Sequence, residues 1–144
     1  MLDQQTYLSI RCDTFSLLLA THHVEAVVAI SKSQASEKQL LWQGHELVLM
    51  DLHTLLISKH AVVESSEAII IKQVVQQQTL YFAVLAGQVA AIEDIPAEAF
   101  SSFAQRQFSG RHYFDKAYIE PATQQCFYRL NIDVLTDILQ ERCS

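Results

Sequence analysis

Asp51 and His53 are the pair in this chain best placed to move a proton, since a carboxylate beside an imidazole is a common acid–base arrangement. Their setting favours a plainer role. Asp51 follows the apolar run Leu47-Val48-Leu49-Met50 and precedes Leu52-His53-Thr54-Leu55. A carboxylate between a strand and a helix accepts hydrogen bonds from the first free backbone N–H groups and complements the helix dipole. A second stretch decides between the two roles. Phe127-Tyr128-Arg129-Leu130-Asn131-Ile132-Asp133-Val134-Leu135 can be laid without a gap on Leu47 to Leu55, which puts Asn131 on Asp51. Asn can cap a helix and cannot act as a general base. The repeated strand–Asx–helix unit therefore reads as two capped helices, one in each of two related lobes.

The remaining reactive side chains form no known constellation. His22 and His23 are adjacent and would point apart on a helical turn, while His45 and His53 fall on different elements. None has HxH or HExxH spacing with an acidic partner, so no metal is expected. Cys12, Cys126 and Cys143 are odd in number and contain no CxxC pair, which reads as reduced thiols in a cytosolic protein. Three well-separated glycines leave no phosphate loop, no GxSxG is present, and Glu93-Asp94 reads as a solvated pair. No cofactor is expected. Gly44 is more informative, because the turn it makes with Gln43 calls for φ > 0 or close backbone approach. Trp42, just before it, is either core or a contact surface.

The elements that must position these residues are mostly short strands. Tyr7–Arg11, Phe15–Leu19, Ala26–Ile30, Glu46–Met50, Ala68–Val75, Leu80–Leu85, Val89–Ile92, Ala117–Glu120 and Cys126–Leu130 have β-branched or alternating character. Phe15–Leu19 lacks polar interruption and is expected to be covered on both faces. Thr21 is expected to cap a single turn through His22 and His23. Gln76-Gln77-Gln78-Thr79 is expected to form a hairpin tip, and Asp94-Ile95-Pro96 to end a strand. Helices are expected over 52–57 and 134–139, and residues 97–108 stay ambiguous between helix and ordered loop. With no βαβ alternation and no long amphipathic helix, the class is mainly β and barrel-like.

The 144 residues are 50% hydrophobic, enough for a core, and carry a formal net charge of −6. Lys and Arg are scattered singly, which argues against nucleic acid and against an anionic membrane surface. Met1 to Gln5 lacks the basic and apolar regions of a signal peptide, and no apolar run reaches the ~18 residues of a membrane helix. The expectation is a soluble, cytoplasmic protein.

In this order the elements resemble the CheW family of chemosensory coupling proteins. Phe15-Ser16-Leu17-Leu18-Leu19 through Val24-Glu25-Ala26-Val27-Val28 is similar to that family's second strand and V-x-E-V segment. Trp42-Gln43-Gly44-His45-Glu46-Leu47-Val48-Leu49-Met50-Asp51-Leu52 is similar to its (L/W)-R-G-x-x-(V/L)-P-(V/L)-(V/L)-D-L signature. Ala83-Val84-Leu85 through Val89 to Pro96 is similar to its strand pair ending in a proline turn, and Cys126 to Leu139 to its closing strand and helix. The chain departs from the pattern at Gln43, where the family has Arg, at Ala26, where a gapless alignment puts the Glu, and at Val48, where Pro is common. It is closer to the divergent members of pilus and twitching-motility systems.

The resemblance implies one domain over 1–144 with two intertwined lobes, each a small five-stranded, SH3-like β-barrel, around a shared core. It implies a non-enzymatic adaptor that bridges the regulatory domain of a CheA-type histidine kinase and a chemoreceptor cytoplasmic domain. By place in the motif, Glu25, Trp42, Gln43 and Gly44 form the expected protein-binding surface. Two alternatives accompany it: a degenerate module whose partner is not a receptor, and a β-barrel that binds a metabolite between its lobes.

Overall fold

The structure, a computed structural model, describes residues 4–12, 15–31, 39–52, 67–85, 88–102 and 113–143. Their strands in chain order are β1 (Gln4–Cys12), β2 (Phe15–Ala20), β3 (Val24–Ala29), β4 (Gln39–Trp42), β5 (His45–Asp51), β6 (Glu67–Val75), β7 (Gln78–Leu85), β8 (Gln88–Pro96), β9 (Ser101–Ser102), β10 (Phe114–Ile119) and β11 (Cys126–Leu130). A helix, α1 (Ile132–Cys143), follows β11.

The strands form two curled sheets. A central sheet has the order β3-β6-β7-β5-β4, and a terminal sheet has the order β8-β1-β2-β11-β10-β9. The terminal sheet is thus five strands plus the two-residue edge piece Ser101–Ser102. The chain passes from β2 into the central sheet at β3 and returns after β7 at β8, so each sheet receives an edge strand from a segment that leaves the other. Each sheet contains one parallel pair, β5 with β7 and β11 with β2; the remaining pairs are antiparallel.

The sequence repeat is the local trace of a relation between whole sheets. With Asp51 laid on Asn131, the pairings carry the correspondence outward. Leu49–Ala83 in the central sheet answers Arg129–Leu18 in the terminal one. Val84–Ile69 then answers Leu19–Leu8, and Ile69–Val27 answers Leu8–Ile92. Both sheets are built on the same plan.

Each sheet buries two faces, which is why Ala68-Ile69-Ile70-Ile71 and Leu17-Leu18-Leu19 are unbroken apolar runs. One set of faces meets in a shared core: Leu8, Ile10, Leu17, Leu19, Met50, Leu52, Ile69, Ile71, Phe82 and Val84, closed by Leu135, Ile138 and Leu139 of α1. The other faces line separate interiors. The central one is aliphatic, with Leu40, Leu47, Leu49, Ile70, Ala83 and Leu85. The terminal one holds Tyr7, Leu18, Ile95 and Phe127. Along β1, Leu8 and Ile10 face the shared core and Tyr7 the terminal interior, and Ser9 is buried with them.

Several local expectations need correction. The hairpin tip between β6 and β7 is only Gln76-Gln77, because Val75 pairs directly with Gln78. β8 does not end before Asp94 but runs through Pro96; it is an edge strand, where proline's missing N–H is tolerated. Thr21 lies inside the 3-10 turn Thr21–His23 rather than capping it, and its hydroxyl donates to the Thr6 carbonyl at 3.0 Å. Residues 97–99 form a second 3-10 turn. The last helix begins at Ile132, directly after Asn131, whose Oδ1 accepts the Asp133 N–H at 3.2 Å. Asn131 is therefore the cap expected of it. Leu52 opens a helix after Asp51, but the expected helix over 53–57 lies outside the described residues.

Candidate functional site

The turn singled out in the sequence joins β4 to β5. Trp42 pairs with His45, leaving a two-residue loop with φ of 49° at Gln43 and 81° at Gly44. Positive φ at both positions is the signature of a type I′ turn, whose twist matches the strands it connects. Gln43 and Gly44 are both exposed at its tip. The conformational freedom expected of Gly44 is present, and Gln43 shares the left-handed geometry without a glycine's licence.

Of the roles left open for Trp42, packing is the one the structure displays. It is half-buried against the central aliphatic interior, and its ring lies 5.5 Å from that of Tyr81. Tyr81 stands directly across from Lys72 in the β6–β7 ladder, and the Lys72 ammonium is 3.5 Å from the Glu25 carboxylate. Glu25 and Trp42 sit on opposite edge strands of the central sheet, yet Lys72 and Tyr81 join them into one row. The ion pair is exposed and contributes at most about 1 kcal/mol.

A register shift between Val24 and Ala26 places Ala26 toward the central interior, while Glu25 is exposed. A bulge inserts one residue and re-aims its neighbours. A carboxylate at position 26 would face apolar side chains; at position 25 it faces out.

Four exposed large apolar residues follow the relation between the sheets. Leu41 pairs with Glu46 and Ile119 with Cys126, and Glu46 and Cys126 hold the same place in the repeat. Leu41 is 65% exposed and Ile119 55%. Val27 and Ile92 are likewise equivalent through Ile69 and Leu8, on the edge strands β3 and β8, at 40% and 69% exposure. Scattered exposed apolar residues need no explanation. The same two positions exposed in both sheets do.

Sequence reasoning missed a polar network in the terminal sheet. Arg129 donates from Nε and Nη2 to the two carboxylate oxygens of Asp115, at 2.8 and 3.0 Å, and from Nη1 to the Tyr7 hydroxyl at 3.4 Å. The guanidinium carbon lies 5.1 Å from the Phe100 ring centre. Bonding to Asp115 holds the guanidinium further above its ordinary pKa. Tyr7 donates to Gln5 Oε1 at 3.0 Å, and Gln5 Nε2 lies 2.9 Å from His22 Nδ1. Gln5, Tyr7, His22, Asp115 and Arg129 line an open cleft of about 150 Å³ that reaches Asn131 at the start of α1. The available signal was the repeat itself, which sets charged Arg129 opposite apolar Leu49.

Two further expectations fail here. His22 and His23 do not point apart; their ring centres are 4.1 Å from each other. Glu93 is not fully solvated, since its Oε2 is buried without a hydrogen-bond partner among the described residues; Asp94 is exposed and accepts the Thr6 hydroxyl at 2.7 Å.

No protein-family model matches the sequence, and no curated protein matches it either. Among solved structures, the scaffolding protein TtCheW from Thermoanaerobacter tengcongensis superposes with a TM-score of 0.66 at 12% sequence identity, over 92% of this chain and 86% of that one. Two curled sheets on one plan, exchanging edge strands around a shared core, make this a CheW-like fold.

Proposed function

We propose that this chain is a non-enzymatic adaptor of bacterial chemosensory signalling, working in the cytoplasm. It couples the regulatory domain of a CheA-type histidine kinase to a receptor or another signalling partner by protein–protein contact. The observation that carries this reading is the duplicated apolar pair, Leu41 with Val27 in one lobe and Ile119 with Ile92 in the other. A chain with two equivalent apolar edges is suited to two contacts of similar kind. Each would be modest in area, under about 1,200 Å², as reversible assemblies require. The described residues contain no long apolar helix able to cross a membrane. The scaffolding role named for the structural neighbour points the same way.

The row Glu25–Lys72–Tyr81–Trp42 with the Gln43-Gly44 tip is the receptor-facing surface in this reading. Affinity capture of the full chain from native lysate tests it. A CheA-type kinase should be retained, and Leu41→Asp with Ile119→Asp should abolish retention while the circular dichroism spectrum is unchanged. A receptor cytoplasmic domain should be retained by the parent chain and lost with Gly44→Asp. Retention of neither partner by the parent chain overturns the proposal.

Gln43 favours a second reading, in which the partner is not a receptor. Its side chain is a neutral amide at the exposed tip where the resembled family carries Arg. Gln43→Arg restores that charge without entering the core. Receptor binding gained by this one change would count against the second reading.

A further inference from the structure

We propose that the stacked His22–His23 pair is a pH-sensitive joint between the two lobes, closed when His22 is neutral and loosened when His22 takes up a proton. The turn Thr21–His23 is the direct passage from β2 in the terminal sheet to β3 in the central one. Its two rings bind opposite lobes. His22 Nδ1 lies 2.9 Å from Gln5 Nε2 on β1, and His23 Nδ1 lies 3.2 Å from the Lys72 carbonyl on β6.

The polarity of these bonds fixes the protons. Asp115 anchors Arg129, Arg129 donates to the Tyr7 hydroxyl, and that hydroxyl donates to Gln5 Oε1. The Gln5 amide nitrogen, which only donates, is thereby turned to His22 Nδ1. That nitrogen must be bare and the ring's proton must sit on Nε2. His23 Nδ1 faces a carbonyl and must carry its proton. Protonating His22 sets one N–H against another and puts a positive charge 4.1 Å from the neighbouring ring.

The surrounding charges do not remove this preference. Arg129 from β11 opposes an imidazolium. Asp115 from β10 favours one but is bonded twice to Arg129, and Asp133 from α1 is held by Gln73 Nε2 of β6 at 2.7 Å. The Lys72 ammonium of β6 is turned to Glu25 of β3. The Tyr7 hydroxyl of β1 is engaged with Gln5 Oε1. Burial, and then the His23 ring, lower the His22 pKa. The folded state thus favours neutral His22. Its stabilising effect is complete above the ordinary imidazole pKa of about 6.5 and declines as pH falls through that value toward the lower folded one.

The test uses the intact chain. Long-range ¹H–¹⁵N imidazole spectra should show His22 as the Nε2–H tautomer titrating below the ordinary value, with His23 as Nδ1–H. Urea unfolding from about pH 7.5 to about 5.5 should show stability falling with pH, and His22→Asn should flatten that slope. Gln5→Glu places an acceptor against Nδ1 and should raise the His22 midpoint above that of the parent. An ordinary or raised His22 pKa in the parent, an unchanged slope in His22→Asn, or an unmoved midpoint in Gln5→Glu each overturns the proposal.

Discussion

Arg129 stands in the terminal sheet where Leu49 stands in the central one, at equivalent places on β11 and β5 beside Leu18 and Ala83. Leu49 is fully buried among aliphatic side chains. Arg129 brings a charge to the same position, and Asp115, the Tyr7 hydroxyl and the Phe100 face receive it. The two lobes share a plan and differ in chemistry. Among the described residues the interior of the central lobe is apolar, while the terminal lobe adds a directed polar chain that ends at the crossover between lobes.

The Arg129–Asp115 pair should be strongly coupled. Arg129→Leu alone leaves Asp115 and the Tyr7 hydroxyl without their donor, and should destabilise by about 1–3 kcal/mol. Asp115→Ala with Arg129→Leu should recover part of that loss, since replacing both partners avoids the stranded group. A double-mutant cycle by chemical denaturation measures the coupling; strict additivity would show that the pair acts independently.

Glu93 corresponds to Val28 through Tyr7 and Ala68. Its Oε2 is buried and lacks a partner among the described residues. Glu93→Val should therefore raise stability by about 1 kcal/mol, the size of the penalty for an unmade hydrogen bond. A rise in the urea midpoint at unchanged m-value is the expected reading.

The type I′ turns offer the reverse comparison. Gln76 and Gln77 hold φ of 51° and 67° between Val75 and Gln78 with no glycine. Gln76→Asn with Gln77→Gly should stabilise the hairpin by about 1 kcal/mol. Gly44→Ala should destabilise by a similar ~1 kcal/mol. Nothing lies within 4 Å of an added Cβ there, so the loss is conformational and thermal unfolding should show it without any change in core packing.

The β10–β11 connection depends on Glu120. Its carboxylate accepts the Thr123 N–H at 2.8 Å and the Thr123 hydroxyl at 3.0 Å. Hydrogen bonds from the backbone N–H of Thr123 and then of Ala122 lower its pKa. A depressed carboxylate stabilises above its unfolded pKa of about 4.3 and loses that effect as pH falls through the folded value. The Thr123 amide should exchange faster below that range, and Glu120→Gln should make its exchange independent of pH there once intrinsic rates are divided out.

The duplicated apolar edges predict graded binding. Leu41→Asp and Ile119→Asp should each remove one class of contact with little change in melting temperature, because both side chains are mostly exposed. The double variant should bind neither partner in analytical ultracentrifugation. Equal loss from either single change would mean that both edges serve one interface.

By itself the sequence determined the class, the repeat and the cap at Asn131. Strand positions followed from apolar runs because both faces of each sheet are covered, and the Asx residues followed from the backbone needs of a helix start. Asn131 does cap α1. The turn at Gly44 was legible because a two-residue hairpin loop needs left-handed backbone. Only tertiary structure decided the rest. The bulge that turns Glu25 outward and Ala26 inward is a register event, invisible in a gapless alignment. The row from Glu25 to Trp42 runs across strands far apart in the chain. The convergence of Asp115, Arg129, Tyr7, Gln5 and His22 depends on β1, β10 and β11 meeting at one end of a sheet. Local propensity sets where strands form; pairing across the sheets sets which side chains meet.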